Sequence, residues 1–108
     1  MTKPSVPEPP PTAGVSEVVP ALLAYLKSAG NPQELIDLIQ ARDAFGREKY
    51  GQTLMTHDGR NAVEDLDQEV GDSFVYAFKI RMEKGFSPEV KARLLEHLED
   101  LIMLIKAS

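Results

Sequence analysis

The stretch that decides the fold is NAVEDLDQEVGDSFVYAFKIRMEKG, residues 61–85. Asp65, Glu69, Asp72, Tyr76, Lys79 and Glu83 follow one another here at spacings of four, three, four, three and four. At about 100° per residue these positions fall in one narrow stripe of a helix. Leu66, Val70, Phe74 and Ala77, with Val63 beside them, form the opposing apolar stripe. The pattern predicts an amphipathic helix from about Asn61 to Lys84, closed by Gly85.

The polar stripe has an unusual charge order. Asp65, Glu69 and Asp72 repel one another, and no Lys or Arg sits at i+4 from any of them. Like charges at this spacing destabilise a helix by about 0.2–0.5 kcal/mol per pair. Stacked carboxylates without local cations suit a hard divalent ion such as Mg²⁺, which takes oxygen ligands. The plain alternative is a solvated polar face.

Outward from this helix the chain reads as more helix. Toward the C-terminus, Ser87-Pro88-Glu89-Val90 has a cap residue followed by proline at the first helical position. The helix it opens carries Val90, Leu94, Leu98, Leu101, Ile102 and Ile105, and is apolar around more than half its circumference once Met103 and Leu104 are counted. Toward the N-terminus, residues 51–60, GQTLMTHDGR, lack an apolar period and contain the turn pair Asp58-Gly59. Before this loop, Asn31-Pro32 opens a second helix through Tyr50, with Leu35, Leu38, Ile39 and Phe45 on one side and Gly51 as its stop. A short first helix, capped by Ser16, reaches Ala29 and keeps Pro20 in its first turn. Residues 1–14 hold five of the eight prolines and are expected to be a disordered tail. Nothing alternates with period two, so no sheet is expected. The fold class is therefore an all-α bundle of about four helices over residues 15–108.

Composition narrows the function. Twelve basic residues against 17 acidic ones give a net charge of −5, which argues against nucleic-acid phosphates as partners. The absence of cysteine excludes disulfides, thiolate metal sites and thiol nucleophiles. No apolar run approaches the roughly 20 residues of a membrane span, and the N-terminus lacks the apolar core of a signal peptide. A soluble, cytoplasmic protein is expected. With 108 residues the chain is small, and its apolar last helix predicts a homo-oligomer, most simply a dimer built on the third and fourth helices.

The cations lie outside the acidic stripe. Arg42 and Lys49 sit seven apart on the second helix, near its apolar side, where long side chains either snorkel or hold phosphate. Arg60 lies just before the third helix, close to its N-terminus. Carboxylates for metal with Arg and Lys nearby suggest a nucleotide polyphosphate. An antiparallel fold-back about the loop would set Glu69 opposite Arg42 and Asp43, and one about Gly85 would set Glu99 opposite Asp72. His57 and His97 are expected as loop and surface residues.

The segment Asp65-Leu66-Asp67-Gln68-Glu69-Val70-Gly71-Asp72 resembles the D-L-x-x-E-L-G-D segment of MazG-like proteins, members of the all-α nucleoside triphosphate pyrophosphatase superfamily. The preceding Arg42, Lys49-Tyr50-Gly51 and Asp58-Gly59-Arg60 are similar to small members often encoded by bacteriophages. The resemblance covers about 45 of the 108 residues. It implies an oligomeric helical bundle, in the host cytoplasm if phage-encoded, that hydrolyses (d)NTP to (d)NMP and pyrophosphate with Mg²⁺ or Mn²⁺. Carried onto this chain, Glu69 and Asp72 bind metal, joined by Asp65. Arg42, Lys49, Tyr50, Arg60, Tyr76 and Lys79 form the substrate-binding set, and Glu48 or Asp65 is the general base. The family's E-E-x-x-E run on the preceding helix is missing. Either Asp43, Glu48 or Asp65 fills its place, or Glu96 and Glu99 supply the second metal set. Two other readings stand beside this one: a non-catalytic helical interaction protein, a degenerate family member included, and a metal-dependent hydrolase of another phosphorylated metabolite.

Overall fold

The computed structural model describes residues 13–108, so the expected proline-rich tail lies outside the described residues except for Ala13 and Gly14. Four helices follow in order: α1 (Val18–Ser28), α2 (Gln33–Tyr50), α3 (Ala62–Glu83) and α4 (Pro88–Lys106). Among the described residues the only extended pairing is an isolated antiparallel bridge between Glu17 and Met55. The regular structure of the described residues is thus all-helical. None of these helices is long and apolar enough to cross a membrane. Two compact units are distinguished, one reaching to Arg60 and the other covering residues 61–108 among the described residues.

In the first unit α1 packs on α2, and the two buried apolar side chains among the described residues, Leu26 and Ile36, lie one on each helix. Helix α1 starts one residue later than a Ser16 cap predicts, with Glu17 as its N-cap. Ser16 is used elsewhere: its N–H donates to Thr56 Oγ1 (3.1 Å) and its carbonyl accepts from Thr56 N (2.8 Å). Pro20 falls in the first turn, where a backbone N–H has no intrahelical partner to lose. Gly30, at φ +75°, lets the Asn31 N–H reach back to the Leu26 carbonyl at 3.0 Å. The next helix also shifts by one residue, with Pro32 as its N-cap and its carbonyl accepting from Leu35 and Ile36.

A four-residue network holds the loop after α2 in place. Arg47 donates to Asp43 Oδ2 at 2.9 Å and to Glu17 Oε1 at 2.8 Å, while Thr53 Oγ1 donates to Asp43 Oδ1 at 2.7 Å. The loop is then stitched to the strand-like entry of α1 by Val15 N to Thr56 O (2.9 Å) and Val18 N to Leu54 O (3.0 Å). The approach is close enough that a Cβ at Gly14 would overlap the Met55 Cβ and the Thr56 carbonyl oxygen. The chain at Gly14 is thus fixed rather than part of a free tail.

In the second unit both helices open on side-chain caps, the predicted one at Ser87 and a further one at Asn61. The Asn61 side chain accepts from Glu64 N at 3.1 Å, and Ser87 Oγ accepts from Val90 N at 3.3 Å with Pro88 behind it. Gly85, at φ +73°, ends α3 by donating to the Ile80 carbonyl at 2.7 Å. Neither α3 nor α4 contains a buried residue. Val90, His97, Asp100 and Leu104 are the half-buried residues of α4. This placement differs from the surface position expected for His97, whose Nδ1 is buried without a hydrogen-bond partner, as is Asp100 Oδ2.

The Arg47 guanidinium and the Thr53 hydroxyl hold the Asp43 carboxyl below its ordinary pKa. A carboxyl depressed in the folded state stabilises above its unfolded pKa of about 3.9 and loses that contribution as pH falls through the folded value. Asp43→Asn is therefore expected to melt below the wild type at pH 7, with the gap closing as the pH drops below about 4. Thermal unfolding followed by circular dichroism across that range checks it.

Candidate functional site

A cavity of about 730 Å³ opens in the first unit, a size typical of small-molecule sites. Helix α2 supplies one wall through Ile39, Arg42, Asp43, Gly46 and Tyr50. The loop supplies another through Gln52, Thr53, Leu54, Met55, Asp58 and Arg60, and Val19 of α1 closes the apolar side. The Arg47–Asp43–Thr53 network holds these two walls apart at a fixed distance. The loop keeps its shape through Asp58, whose buried carboxylate accepts from the Arg60 N–H at 3.2 Å. This is an Asx-type turn, and His57 (φ +55°) and Gly59 (φ +84°) take the left-handed backbone it needs.

Two cations of α2, Arg42 and Lys49, are stacked on aromatic rings. Arg42 Cζ lies 5.0 Å from the Phe45 centroid, and Lys49 Nζ lies 5.8 Å from Phe45 and 5.2 Å from Tyr50. Such contacts are worth about 0.5–1 kcal/mol at exposed sites and leave the guanidinium edges open to hydrogen bonding. Among the described residues Arg42 forms no ion pair. Arg42, Tyr50 and Arg60, predicted separately as substrate residues, thus line one cavity.

The acidic stripe lies on α3. Glu69 and Asp72 are exposed, one turn apart, and neither makes an ion pair among the described residues. Asp65 is half-buried and engaged with a partner of its own. Lys79 Nζ reaches Glu83 Oε2 at 2.6 Å, an exposed i,i+4 pair of about 0.3–0.5 kcal/mol that a phosphate could displace. Tyr76 and Glu48 are exposed. Among the described residues no group of three or more His, Cys, Asp or Glu side chains is gathered to hold an ion. Asp43, a candidate for the missing acidic run, has both oxygens committed to Arg47 and Thr53.

Arg47, Thr53, Met55 and the buried role of Asp58 were not singled out by the sequence. The Asp43–Arg47 pair was readable at i,i+4. Its Glu17 partner, 30 residues away, left no local signal. A comparison with known proteins finds no matching family model, no similar characterised protein and no similar solved structure.

Repulsion along the stripe makes a prediction about stability. With a chelator present, Glu69→Gln and Asp72→Asn should unfold at or slightly above the wild-type temperature, by about 0.2–0.5 kcal/mol for each like-charge pair removed. Differential scanning calorimetry reads this directly, and a marked loss would mean that these carboxylates hold the fold.

Proposed function

We propose that this chain is a metal-dependent nucleoside triphosphate pyrophosphohydrolase working as a homo-oligomer. The observation that carries the reading is the exposed Glu69–Asp72 pair on α3, without counter-charges among the described residues, within the segment that resembles MazG-like proteins. Two carboxylates do not form a closed cage. They do fit Mg²⁺, which commonly keeps several waters and is held by one or two carboxylates together with substrate phosphates. Glu69 and Asp72, with Asp65, would hold the ion, which supplies charge neutralisation and a more acidic water.

The chain's own groups would do the rest. Arg42, Lys49 and Arg60 would take phosphate oxygens, Arg as a planar fork and Lys as a point charge. Lys79 would join them by releasing Glu83. Glu48 or Asp65 would accept the proton of the water that adds to phosphorus as pyrophosphate leaves. The reaction consumes one water and one (d)NTP and yields (d)NMP and pyrophosphate. Such an activity would clear unwanted nucleotides or shape a dNTP pool.

Assembly follows from the second unit. Leu94, Leu98, Leu101 and Ile105 form a seam at spacings of four, three and four, flanked by Leu95 and Ile102, and all six are at least a third exposed. On α3, Phe74 is 75% exposed and Val63, Val70 and Phe78 share its stripe. Two helices with no buried residue lack the packing that stabilises helices in proteins. A second copy presenting the same seam supplies it, in the knobs-into-holes manner of helical bundles. The same exposed seam also favours the alternative of a helical interaction protein without catalysis.

Offered each (d)NTP with Mg²⁺ or Mn²⁺, the protein is expected to release pyrophosphate, and Glu69→Gln or Asp72→Asn to abolish turnover. Clean protein that releases none from any nucleotide refutes the enzyme. Light scattering at micromolar concentration should give a multiple of 11.9 kDa, lowered to the monomer by Leu98→Glu with Leu101→Glu. A wild-type mass of 11.9 kDa refutes the assembly.

A further inference from the structure

Gly46 sits in the interior of α2, four residues before its end, and lines the cavity. Glycine at such a place weakens a helix relative to alanine, so some other factor must favour it. Backbone conformation does not: Gly46 is helical and has no positive φ. Packing does not either, because a Cβ built there meets no other atom within 4 Å. Yet the position is half-buried rather than out in solvent. Gly46 therefore borders space that the protein's own side chains leave empty.

The walls of that space state what would fill it. Ile39, Leu54 and Met55 give apolar surface, and the Met55 thioether adapts to flat ring systems. Tyr50 adds an aromatic face, and Gln52 an amide that can donate and accept. Arg42 is the cation of the α2 wall, anchored by Phe45 and without an ion pair among the described residues. Asp43, Asp58 and Arg60 also line it, with the two carboxylates engaged by Arg47, Thr53 and the Arg60 N–H. A largely apolar chamber with a stacked guanidinium suits a planar ring compound carrying an anionic group. We infer that the cavity between α2 and the loop after it binds the base-and-sugar half of a nucleotide, that Gly46 is bare to admit it, and that Arg42 meets its 5′-phosphate. The choice of a nucleotide rests on the hydrolase reading; the site itself rests on the cavity.

The test uses the full chain, with nucleoside 5′-monophosphates, the free nucleosides and inorganic tripolyphosphate as probes in NMR titrations. At least one monophosphate should shift the amide signals of Gly46, Gln52 and Leu54. Gly46→Leu should keep the wild-type melting temperature or raise it, while weakening that monophosphate by roughly tenfold or more, about 1.4 kcal/mol. Its affinity for tripolyphosphate should not change. Arg42→Gln should remove the preference for the monophosphate over its nucleoside. No shift with any monophosphate, or a Gly46→Leu variant that binds within twofold of the wild type, overturns the inference. If Gly46→Leu hydrolyses (d)NTP with unchanged KM, the cavity assignment falls and the hydrolase reading stands. If monophosphates bind as described but no triphosphate is turned over, the cavity assignment is supported and the hydrolase reading falls.

Discussion

The fork of Arg47 between Asp43 and Glu17 is the interaction on which the first unit depends. Its two arms tie α2 to the residue that precedes α1, and Asp43 passes the constraint on to Thr53 in the loop. Hydrophobic burial alone could not impose this arrangement, because only Leu26 and Ile36 are buried apolar side chains among the described residues. Surface ion pairs are usually worth little when isolated. Here one carboxylate accepts from two donors and one guanidinium bridges two carboxylates, so the geometry of each contact is fixed by the others. The cavity exists because this network holds the loop where it is.

The second unit faces the opposite problem. Its caps are well made at Asn61 and Ser87, and its helices run 22 and 19 residues, yet neither buries a side chain. Local signals thus specify two helices that tertiary packing within the unit does not cover. A large exposed apolar face of this kind marks an interaction surface more often than an inert one. The strongest helical periodicity in the sequence is therefore matched by the least complete packing in the structure.

That contrast explains which features were legible in the sequence. Helix number, the loop at residues 51–60 and the cap at Ser87 depend on neighbours within four residues, and each was readable. The Ser16 cap failed because Thr56, 40 positions on, takes its backbone groups into a bridge. Asn31 instead belongs to the close of α1, its N–H donating back to Leu26, and α2 begins one residue later with the Pro32 carbonyl accepting from Leu35 and Ile36. Of the candidate site, Arg42, Tyr50 and Arg60 were named from residue type and resemblance. The cavity that joins them was not, since Gln52, Leu54 and Met55 carry no period and act only through the fold.

A bare metal cage was never required by the chemistry proposed. Carboxylates gathered tightly enough to hold an ion unaided would repel one another in its absence, and α3 already carries that penalty between Glu69 and Asp72. Leaving the set incomplete lowers the cost of the empty state and makes ion binding depend on the substrate's own oxygens. Selectivity for a triphosphate would then come partly from the ion, which needs adjacent phosphates to complete its shell. The remaining discrimination must come from groups that touch the rest of the molecule. A chamber kept open at Gly46 is the feature of the first unit suited to that task, because its apolar walls would admit a group by its shape.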